Sequence, residues 1–439
     1  MVDQKKYSQS RKPAPSCRFC KSQNLESIVD LGMSPLSQNF LSADKLNQPE
    51  TFYPLHTYVC TDCWLVQLEE FVSGREIFEG EYLYLSSYSD SWVQHARHYT
   101  DLVTERFSLD ENKLVVEIAS NDGYLLQWFQ GKNIPVLGIE PSETCSTVAI
   151  EKGIPTEVLY FGTASASFLL GQYGEADLLL GNNVLAHVPD INDFVAGMKI
   201  LLAKDGVITM EFPHLQRLVE DNQFDTIYHE HFSYLSLISV AQIFLKQGLR
   251  LFDVEELSTH GGSLRIYACH SESQMHSVSE RYTSLLIRER ELGMNSLQFY
   301  ADFGEQVEAC KRKLLSFLIQ AAQDGKTVVG YGAAAKGNTL LNYCGIREDL
   351  LKYVVDRSEV KIGKFLPGTH IPIYAPERIL ETQPDYVLIL PWNLRNEIID
   401  QWSVIYDWGG KFVVPIPETQ ILEISEKLIH LELSGKAEH

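Results

Sequence analysis

Residues 114–130 read LVVEIASNDGYLLQWFQ, which is an apolar strand followed by a short polar loop and a helical segment. The same order recurs with the strand PVLGIE at 135–140 and the strand ADLLLGNN at 176–183, and the strand VITMEF follows at 207–212. Strands that alternate with helices are typical of a parallel sheet with helices on both faces. The next segments, LRLFDVEEL and GSLRIYACH, predict an antiparallel pair that closes one edge of this sheet.

The alternation restarts towards the carboxyl end of the chain. The strand TVVGYG, a helix around GNTLLNYCG, and the strands KYVVD and YVLILPW predict a second α/β unit of the nucleotide-binding type. We therefore expect a small N-terminal domain at 14–75, a first α/β domain at 76–271, connecting helices at 272–325 and a Rossmann-like domain at 326–425.

Charge and composition exclude several classes of protein. The 439 residues include 58 acidic and 37 basic side chains, so the formal net charge is −21. This balance disfavours nucleic acid and anionic membrane surfaces as partners. The sequence contains no run of 18 apolar residues and no secretory signal, so we expect a cytoplasmic protein without a membrane span.

Four of the eight cysteines form two CxxC pairs, Cys17 with Cys20 and Cys60 with Cys63. Two such pairs, each on a tight turn, supply the tetrahedral thiolate set of a structural zinc site. Four protein ligands leave no open position for catalysis. The alternative, four unligated cysteines in a core, requires two CxxC pairs to arise by chance.

The loop after the first strand is acidic and has a single glycine. It carries Glu117, Asp122 and Gly123, and Glu140 ends the next strand. Acidic groups repel phosphates, whereas a sulfonium, an ammonium group and a ribose diol suit them, so the loop favours S-adenosylmethionine (SAM) over NAD. An acidic loop at a strand end of any α/β fold is the alternative. The candidate cofactor-binding residues are Glu117, Ala119, Asn121, Asp122, Gly123, Glu140 and Asn182.

The segment FDTIYHEHFSYLSL at 224–237 concentrates ionisable and aromatic side chains. His231 is a candidate general base because the ordinary pKa of histidine lies near neutrality. Glu230 or Tyr228 could orient it or polarise a carbonyl group. A second metal site is disfavoured because the HExxH pattern is absent. His187 can reach the same cleft, with a purely structural role as the alternative.

The segment GYGAAAKGNTLL at 330–341 is a glycine-rich turn that opens a helix. Such a turn offers backbone N–H groups and the positive end of a helix dipole to a phosphate. It could serve a dinucleotide or a nucleotide-sugar. The candidate substrate-binding residues are Gly332, Lys336, Gly337, Asn338, Asp356 and Lys361.

Together these motifs resemble the deoxysugar C-methyltransferases, which methylate a carbon of a nucleotide-linked keto-sugar. The resemblance spans nearly the whole chain, from the cysteine pairs through EIASNDG and FDTIYHEHFSY to GYGAAAKGNTLLN and VVDRSEVKIGKFLPGTHIPI. It implies an N-terminal zinc domain, a central SAM-dependent methyltransferase domain and a C-terminal domain that helps to hold the sugar nucleotide. It also implies that His231 is the general base, supported by Tyr228, Glu230, His187 and, from EYLYLSS, Tyr82.

The implied reaction is methylation of a carbon next to a ketone, with C3 of a 4-keto-6-deoxy sugar as the expected position. The motifs leave the nucleotide, the sugar and the oligomeric state open, with a monomer as the working expectation. An NAD-dependent sugar-nucleotide oxidoreductase and a methyltransferase for another small molecule are the alternatives. A zinc-ribbon protein that binds nucleic acid would need a basic face, which the net charge disfavours.

Overall fold

A computed structural model describes residues 15–78 and 85–423 of the chain. The N-terminal unit contains β1 (Leu25–Ser34), β2 (Tyr53–Cys60), β3 (Val66–Leu68) and α1 (Gly74–Phe78). The central unit contains α2 (Asp90–Arg106), β4 (Val115–Ile118), α3 (Leu126–Gln130), β5 (Val136–Ile139), α4 (Glu143–Glu151), β6 (Thr156–Glu157), α5 (Thr163–Tyr173), β7 (Ala176–Asn182), α6 (Ile191–Leu201), β8 (Leu202–Pro213), α7 (Leu215–Glu220), β9 (Ser233–Tyr234), α8 (Leu237–Lys246), β10 (Leu249–Leu257) and β11 (Ser263–His270).

The C-terminal unit follows two long helices. It contains α9 (Glu280–Glu291), α10 (Phe303–Gln323), β12 (Val328–Tyr331), α11 (Ala335–Cys344), β13 (Val354–Val355), β14 (Ile373–Tyr374), α12 (Arg378–Thr382), β15 (Tyr386–Ile389), α13 (Arg395–Gln401), β16 (Lys411–Val414) and β17 (Gln420–Leu422). Of the helices in the described ranges, none combines the length and the apolar character needed to cross a bilayer.

The central sheet has the strand order β10-β11-β8-β7-β4-β5-β6. Strands β4 to β8 pair in parallel, while β11 pairs antiparallel to β8 and to β10, so the predicted antiparallel edge is confirmed. The chain order reverses between β4 and β7. Ligands of such sheets bind at the carboxyl ends of the strands beside this switch point, which is where the acidic loop after β4 lies.

The C-terminal sheet repeats this arrangement with the order β14-β13-β12-β15-β16-β17. Its first five strands are parallel and β17 is antiparallel to β16. The glycine-rich turn follows β12, and residues 390–393 follow β15, so these two segments flank the second switch point. The predicted α/β fold class, with a small N-terminal unit and two doubly wound units, is confirmed.

The N-terminal sheet is antiparallel, and its fourth strand comes from the central unit. Its order is β1-β2-β3-β9, with Val66 paired to Tyr234 and Gln67 to Ser233. Strand β9 belongs to the segment 224–237. The zinc-ligand unit therefore hydrogen-bonds directly to the segment that carries the candidate base.

The N-terminal and C-terminal units also share one hydrophobic core. A single buried cluster contains Leu55 of β2, Phe224 and Ile227 of the candidate catalytic segment, Leu314 of α10 and Leu340 of α11. Burial of large apolar side chains contributes about 1.5–3 kcal/mol each. The catalytic segment is thus held between the N-terminal and C-terminal units.

Candidate active site

The four paired cysteines converge at one point. Cys17 Sγ lies 3.5 Å from Cys63 Sγ, and Cys20 Sγ lies 3.5 Å from Cys60 Sγ. All four sulfur atoms lie within 4.8 Å of one another. Zinc with four bonds of about 2.3 Å holds its sulfurs roughly 3.8 Å apart, so the donor set fits a tetrahedral zinc ion.

The two CxxC turns are built alike. Lys21 and Trp64, which follow the second cysteine of each pair, have φ of 66° and 61°. Their N–H groups donate to the carbonyl oxygens of Cys17 and Cys60 at 2.9 and 2.7 Å. Each turn therefore folds the backbone tightly around its two sulfur atoms.

Left-handed backbone shapes the acidic loop after β4. Ala119, Asn121 and Gly123 have φ of 58°, 51° and 75°. At Gly123 a Cβ atom would lie 2.9 Å from the Ile154 side chain, so glycine is required there. Glu140 fixes the loop, because its carboxylate accepts hydrogen bonds from the Asn121 and Ser142 N–H groups at 2.9 and 2.8 Å.

Buried polar atoms of this loop and of β7 lack protein partners. Both carboxylate oxygens of Glu117, Asp122 Oδ1 and Asn182 Nδ2 are buried without a hydrogen bond from the described part of the chain. Burial raises the pKa of Glu117 well above its usual range, and the neighbouring Glu140 and Asp122 carboxylates add to this effect. Unsatisfied buried polar groups are costly, so this end of the sheet is built for a ligand that brings cationic and hydroxyl groups.

The candidate base has a defined tautomer. His231 Nδ1 lies 2.9 Å from the Thr226 carbonyl oxygen, which can only accept, so Nδ1 carries the proton and Nε2 carries the lone pair. Its ring lies 4.0 Å from the ring of Tyr228 and 4.7 Å from that of His187, centroid to centroid. Burial, together with the positive potentials of His187 and Lys336, lowers the pKa of His231 well below its usual value. The imidazole is therefore neutral at neutral pH and able to accept a proton.

The other predicted catalytic residues occupy distinct places. Burial raises the pKa of Glu230 to about 7, although the Lys361 ammonium acts in the opposite direction. Burial lowers the pKa of His187 to about 4. Tyr82 lies outside the described residues.

His229 faces away from this cluster. Its Nε2 lies 3.1 Å from the carbonyl oxygen of Pro54, and its ring contacts that of Tyr53 at 5.8 Å. His229 therefore joins the catalytic segment to strand β2 and the zinc-ligand unit.

The glycine-rich turn after β12 is already partly engaged by its own chain. Asp356 accepts the Ala333 N–H at 2.6 Å, and Lys361 Nζ donates to the Ala333 carbonyl at 3.0 Å. A Cβ atom at Gly332 would lie 2.5 Å from Pro391, and one at Gly337 would lie 2.8 Å from Leu390. Both glycines thus permit close packing of the turn against the segment after β15.

Among the remaining candidates on this turn, Lys336 points towards the catalytic segment. Its Nζ donates to Asn393 Oδ1 at 2.7 Å and lies 4.6 Å from the ring of Trp392. Burial lowers the pKa of Lys336, and Asp225 opposes that shift. Asn338 is buried and accepts from Asn342 Nδ2 through its own amide oxygen at 3.3 Å. The structure therefore groups Gly332, Asp356 and Lys361, and it places Lys336 near His231.

Three family models match the chain. A zinc binding domain of methyltransferases covers residues 17–78, a methyltransferase domain covers 91–254, and a C-methyltransferase C-terminal domain covers 258–417. C-methyltransferase NovU from Streptomyces niveus is 36% identical over 417 residues, which is 95% of this chain and 99% of the relative. The chain belongs to the C-methyltransferase family. The methyl donor of this C-methyltransferase is SAM, and its N-terminal unit is a zinc site.

Solved methyltransferase structures are also similar to part of this C-methyltransferase. A SAM-dependent methyltransferase from Anabaena variabilis is 13% identical with a TM-score of 0.36, covering 45% of this chain and 91% of that chain. Magnesium protoporphyrin IX methyltransferase from Synechocystis, with bound SAM, is 15% identical with a TM-score of 0.33, covering 46% of this chain and 100% of that chain.

Two site residues of this C-methyltransferase were not expected from the sequence. Asp225 Oδ2 accepts from Trp392 Nε1 at 2.7 Å and thereby joins the central and C-terminal units. His260, in the turn between β10 and β11, comes near the same cleft. Asp225 lies within the segment 224–237, whose ionisable and aromatic side chains mark it in the sequence, whereas no motif marks His260 in the STHGG turn.

Proposed function

We propose that the acceptor is a nucleotide-linked keto-deoxysugar and that the methylated carbon lies next to its ketone, at C3 of a 4-keto-6-deoxy sugar. The observation that carries the proposal is the buried His231 with its Nδ1 proton fixed on Thr226 and Nε2 left as acceptor. A carbon acid requires a base of this kind, because a C–H bond next to a ketone is only weakly acidic.

The proposed reaction begins with proton transfer from carbon to His231 Nε2. The C–H electron pair forms a carbon–carbon double bond, and the π pair of the ketone moves to its oxygen to give an enolate. SAM supplies the electrophilic methyl group when it is bound. The Tyr228 ring, tilted by 34° against His231, and the edge-on His187 hold the His231 ring in position, which keeps the base aligned with the reacting carbon.

Donor and acceptor have separate places in this proposal. The carboxylate oxygens of Glu117, Asp122 Oδ1 and Asn182 Nδ2, which have no partner among the described residues, lie at the central switch point and would hold the donor. Asp122 Oδ2 is already paired with Lys152 Nζ at 3.0 Å. The turn at Gly332–Asn338, with Lys361, would hold the nucleotide portion of the acceptor at the other switch point. The catalytic segment lies between the two, which brings the reacting carbon to the methyl group.

Mass spectrometry tests the proposal directly. The enzyme is incubated with SAM and a panel of nucleotide 4-keto-6-deoxy sugars, and we expect the mass of one added methyl group, with NMR placing it at C3. The matched control is the same nucleotide sugar with the ketone reduced to an alcohol, which should not react. Methylation of the reduced sugar, or of an unrelated small molecule only, would contradict the proposal and favour the methyltransferase with another acceptor.

A further inference from the structure

His260 lies at the tip of the hairpin between β10 and β11, in the short 3-10 turn Thr259–Gly261. Its φ of 55° is left-handed, a conformation that is uncommon for a residue with a side chain and that marks functional positions when the surroundings enforce it. Gln223 Nε2 donates to the Gly261 carbonyl at 2.7 Å and anchors the turn.

The two glycines after His260 explain how this tip reaches its position. A Cβ atom at Gly261 would lie 2.5 Å from the ring of Trp392, and one at Gly262 would lie 2.6 Å from the side chain of Arg217. The tip is therefore wedged between the C-terminal unit and α7 of the central unit. Only a chain without side chains at these two positions can pass there.

The imidazole of His260 has an unused donor. Its Nε2 lies 3.5 Å from Asn183 Nδ2, and in this orientation of the Asn183 amide Nε2 accepts and the proton resides on Nδ1. Nδ1 is buried, and none of the described residues accepts its hydrogen bond. A buried donor without a partner is costly in a finished core, and it is the feature expected of a group that binds a ligand.

The ring also lies between the two halves of the cleft. On the donor side it makes an edge contact with Trp92 at 4.9 Å, and Asn183 directly follows β7 at the switch point. On the other side, His260 lies near the Lys336 ammonium and near His231. Burial and the Lys336 ammonium lower the pKa of His260 to about 4, so its imidazole is neutral at neutral pH.

We propose that His260 is a further catalytic residue, whose Nδ1–H donates a hydrogen bond to the ketone oxygen of the acceptor and stabilises the enolate that forms there. This assignment rests on the proposed function, since it needs a ketone acceptor. His231 takes the proton from carbon, the electron pair moves onto the ketone oxygen, and His260 keeps its own proton throughout. When the enolate carbon forms its bond to the methyl group, the methyl–sulfur bond of the donor would break, its electron pair would stay on sulfur, and S-adenosylhomocysteine would be the leaving group. The carbonyl is then restored and the hydrogen bond weakens.

The test separates enolate formation from methyl transfer. With S-adenosylhomocysteine in place of SAM, exchange of the C–H next to the ketone with deuterated water reports deprotonation alone. In His260→Gly, which adopts the left-handed φ without strain and has no side-chain donor, we expect exchange and methylation both to fall by about 10²–10³-fold, the loss typical of one oxyanion donor. The dissociation constant of S-adenosylhomocysteine should change by less than about threefold, a difference under 0.7 kcal/mol.

Two controls make the result decisive. His270→Asn changes a histidine of the same hairpin that bonds to the Leu202 carbonyl instead of facing the cleft, and it should retain wild-type exchange. His260→Asp, which tolerates the left-handed φ and whose ionised side chain has no donor, replaces the glycine variant if that variant does not fold, and losses at least as large are expected.

Near wild-type exchange in a folded His260 variant overturns this inference while the proposed function stands. A loss of S-adenosylhomocysteine affinity that equals the loss of activity also overturns it, since His260 would then bind the donor. If the wild-type enzyme neither exchanges nor methylates any nucleotide keto-sugar, the proposed function fails, and this inference fails with it.

Discussion

His231 is distinguished from its neighbours by the hydrogen bond to Thr226, because that bond sets which nitrogen is free. We expect His231→Asn to lose C–H exchange and methylation by about 10²–10⁴-fold, the range for removal of a general base. Binding of S-adenosylhomocysteine should persist, which calorimetry can check. His229→Asn is the matched control and should do less damage, because its ring contacts Tyr53 and Pro54 instead of the cluster. Equal losses in both variants would mean that the segment acts only through its packing.

We expect Glu117 to lower the stability of the ligand-free enzyme and to bind the methyl donor. Its pKa is raised by burial, so the folded ligand-free protein retains a proton that the unfolded chain releases above pH of about 4.5. The unfolded state then binds fewer protons, and stability falls as the pH rises through this range. We expect Glu117→Gln to raise the neutral-pH free energy of unfolding of the ligand-free enzyme and to flatten its pH dependence.

Glu117→Gln should weaken the binding of S-adenosylhomocysteine by about 1–3 kcal/mol, the range for hydrogen bonds to a charged group. Denaturant unfolding and calorimetry on one preparation measure both effects. Unchanged ligand affinity together with higher stability would show that Glu117 is structural and that the donor lies elsewhere.

At the scale of the elements, the pairing of β3 with β9 links the zinc site to the catalytic segment. The first CxxC turn precedes β1 and the second joins β2 to β3, so loss of zinc should loosen β3 and, through it, Ser233 and Tyr234. A displacement of about 1 Å in a catalytic group can cost 10²-fold in rate. We therefore expect chelated enzyme to lose about 10²-fold in kcat while it still binds S-adenosylhomocysteine at the central sheet.

Amide hydrogen exchange measures the expected loosening of β3 and β9 independently of activity. Chelation should speed amide exchange in Val66–Leu68 and Ser233–Tyr234 and leave β4 and β7 protected. Readdition of zinc should restore both the protection and the rate. If metal analysis shows that the protein is free of zinc and the protein keeps full activity, the zinc site does not support the catalytic segment.

The sequence predicts well the elements that carry a long periodic pattern. It predicts poorly the very short elements and the contacts between residues that lie far apart in the chain. The alternation of apolar strands and helices predicts the central sheet and its antiparallel edge. The acidic loop makes Glu117 a candidate, whereas residue type alone does not separate His231 from His229, and the resemblance to the deoxysugar C-methyltransferases implies His231. Strand β9 has only two residues, which carry no periodic signal. The position of His260 depends on the packing of Gly261 against Trp392, and no local pattern encodes a contact between two units of the chain.

At the scale of the whole molecule, the three units meet around the segment 224–237, and the C-terminal unit contributes a charge there. Lys336 Nζ is held by Asn393 and Trp392, and its ammonium adds to burial in lowering the pKa of His231. The base must be unprotonated to act, so the acidic limb of the kcat/KM profile reports its pKa.

Removal of this charge should therefore move the pH profile. We expect Lys336→Met to raise the pKa of His231 and to shift the acidic limb to higher pH, because an imidazolium no longer faces a nearby cation. Lys336→Arg keeps the charge and should restore the wild-type limb. Lys361→Met removes an ammonium that bonds to Ala333 at the glycine-rich turn and opposes the rise in the pKa of Glu230. It should raise the acceptor KM, and any titration that it moves should be that of Glu230, near pH 7, instead of the acidic limb of His231. A shift of the limb in Lys361→Met but not in Lys336→Met would place the second cation, and not the first, beside the base.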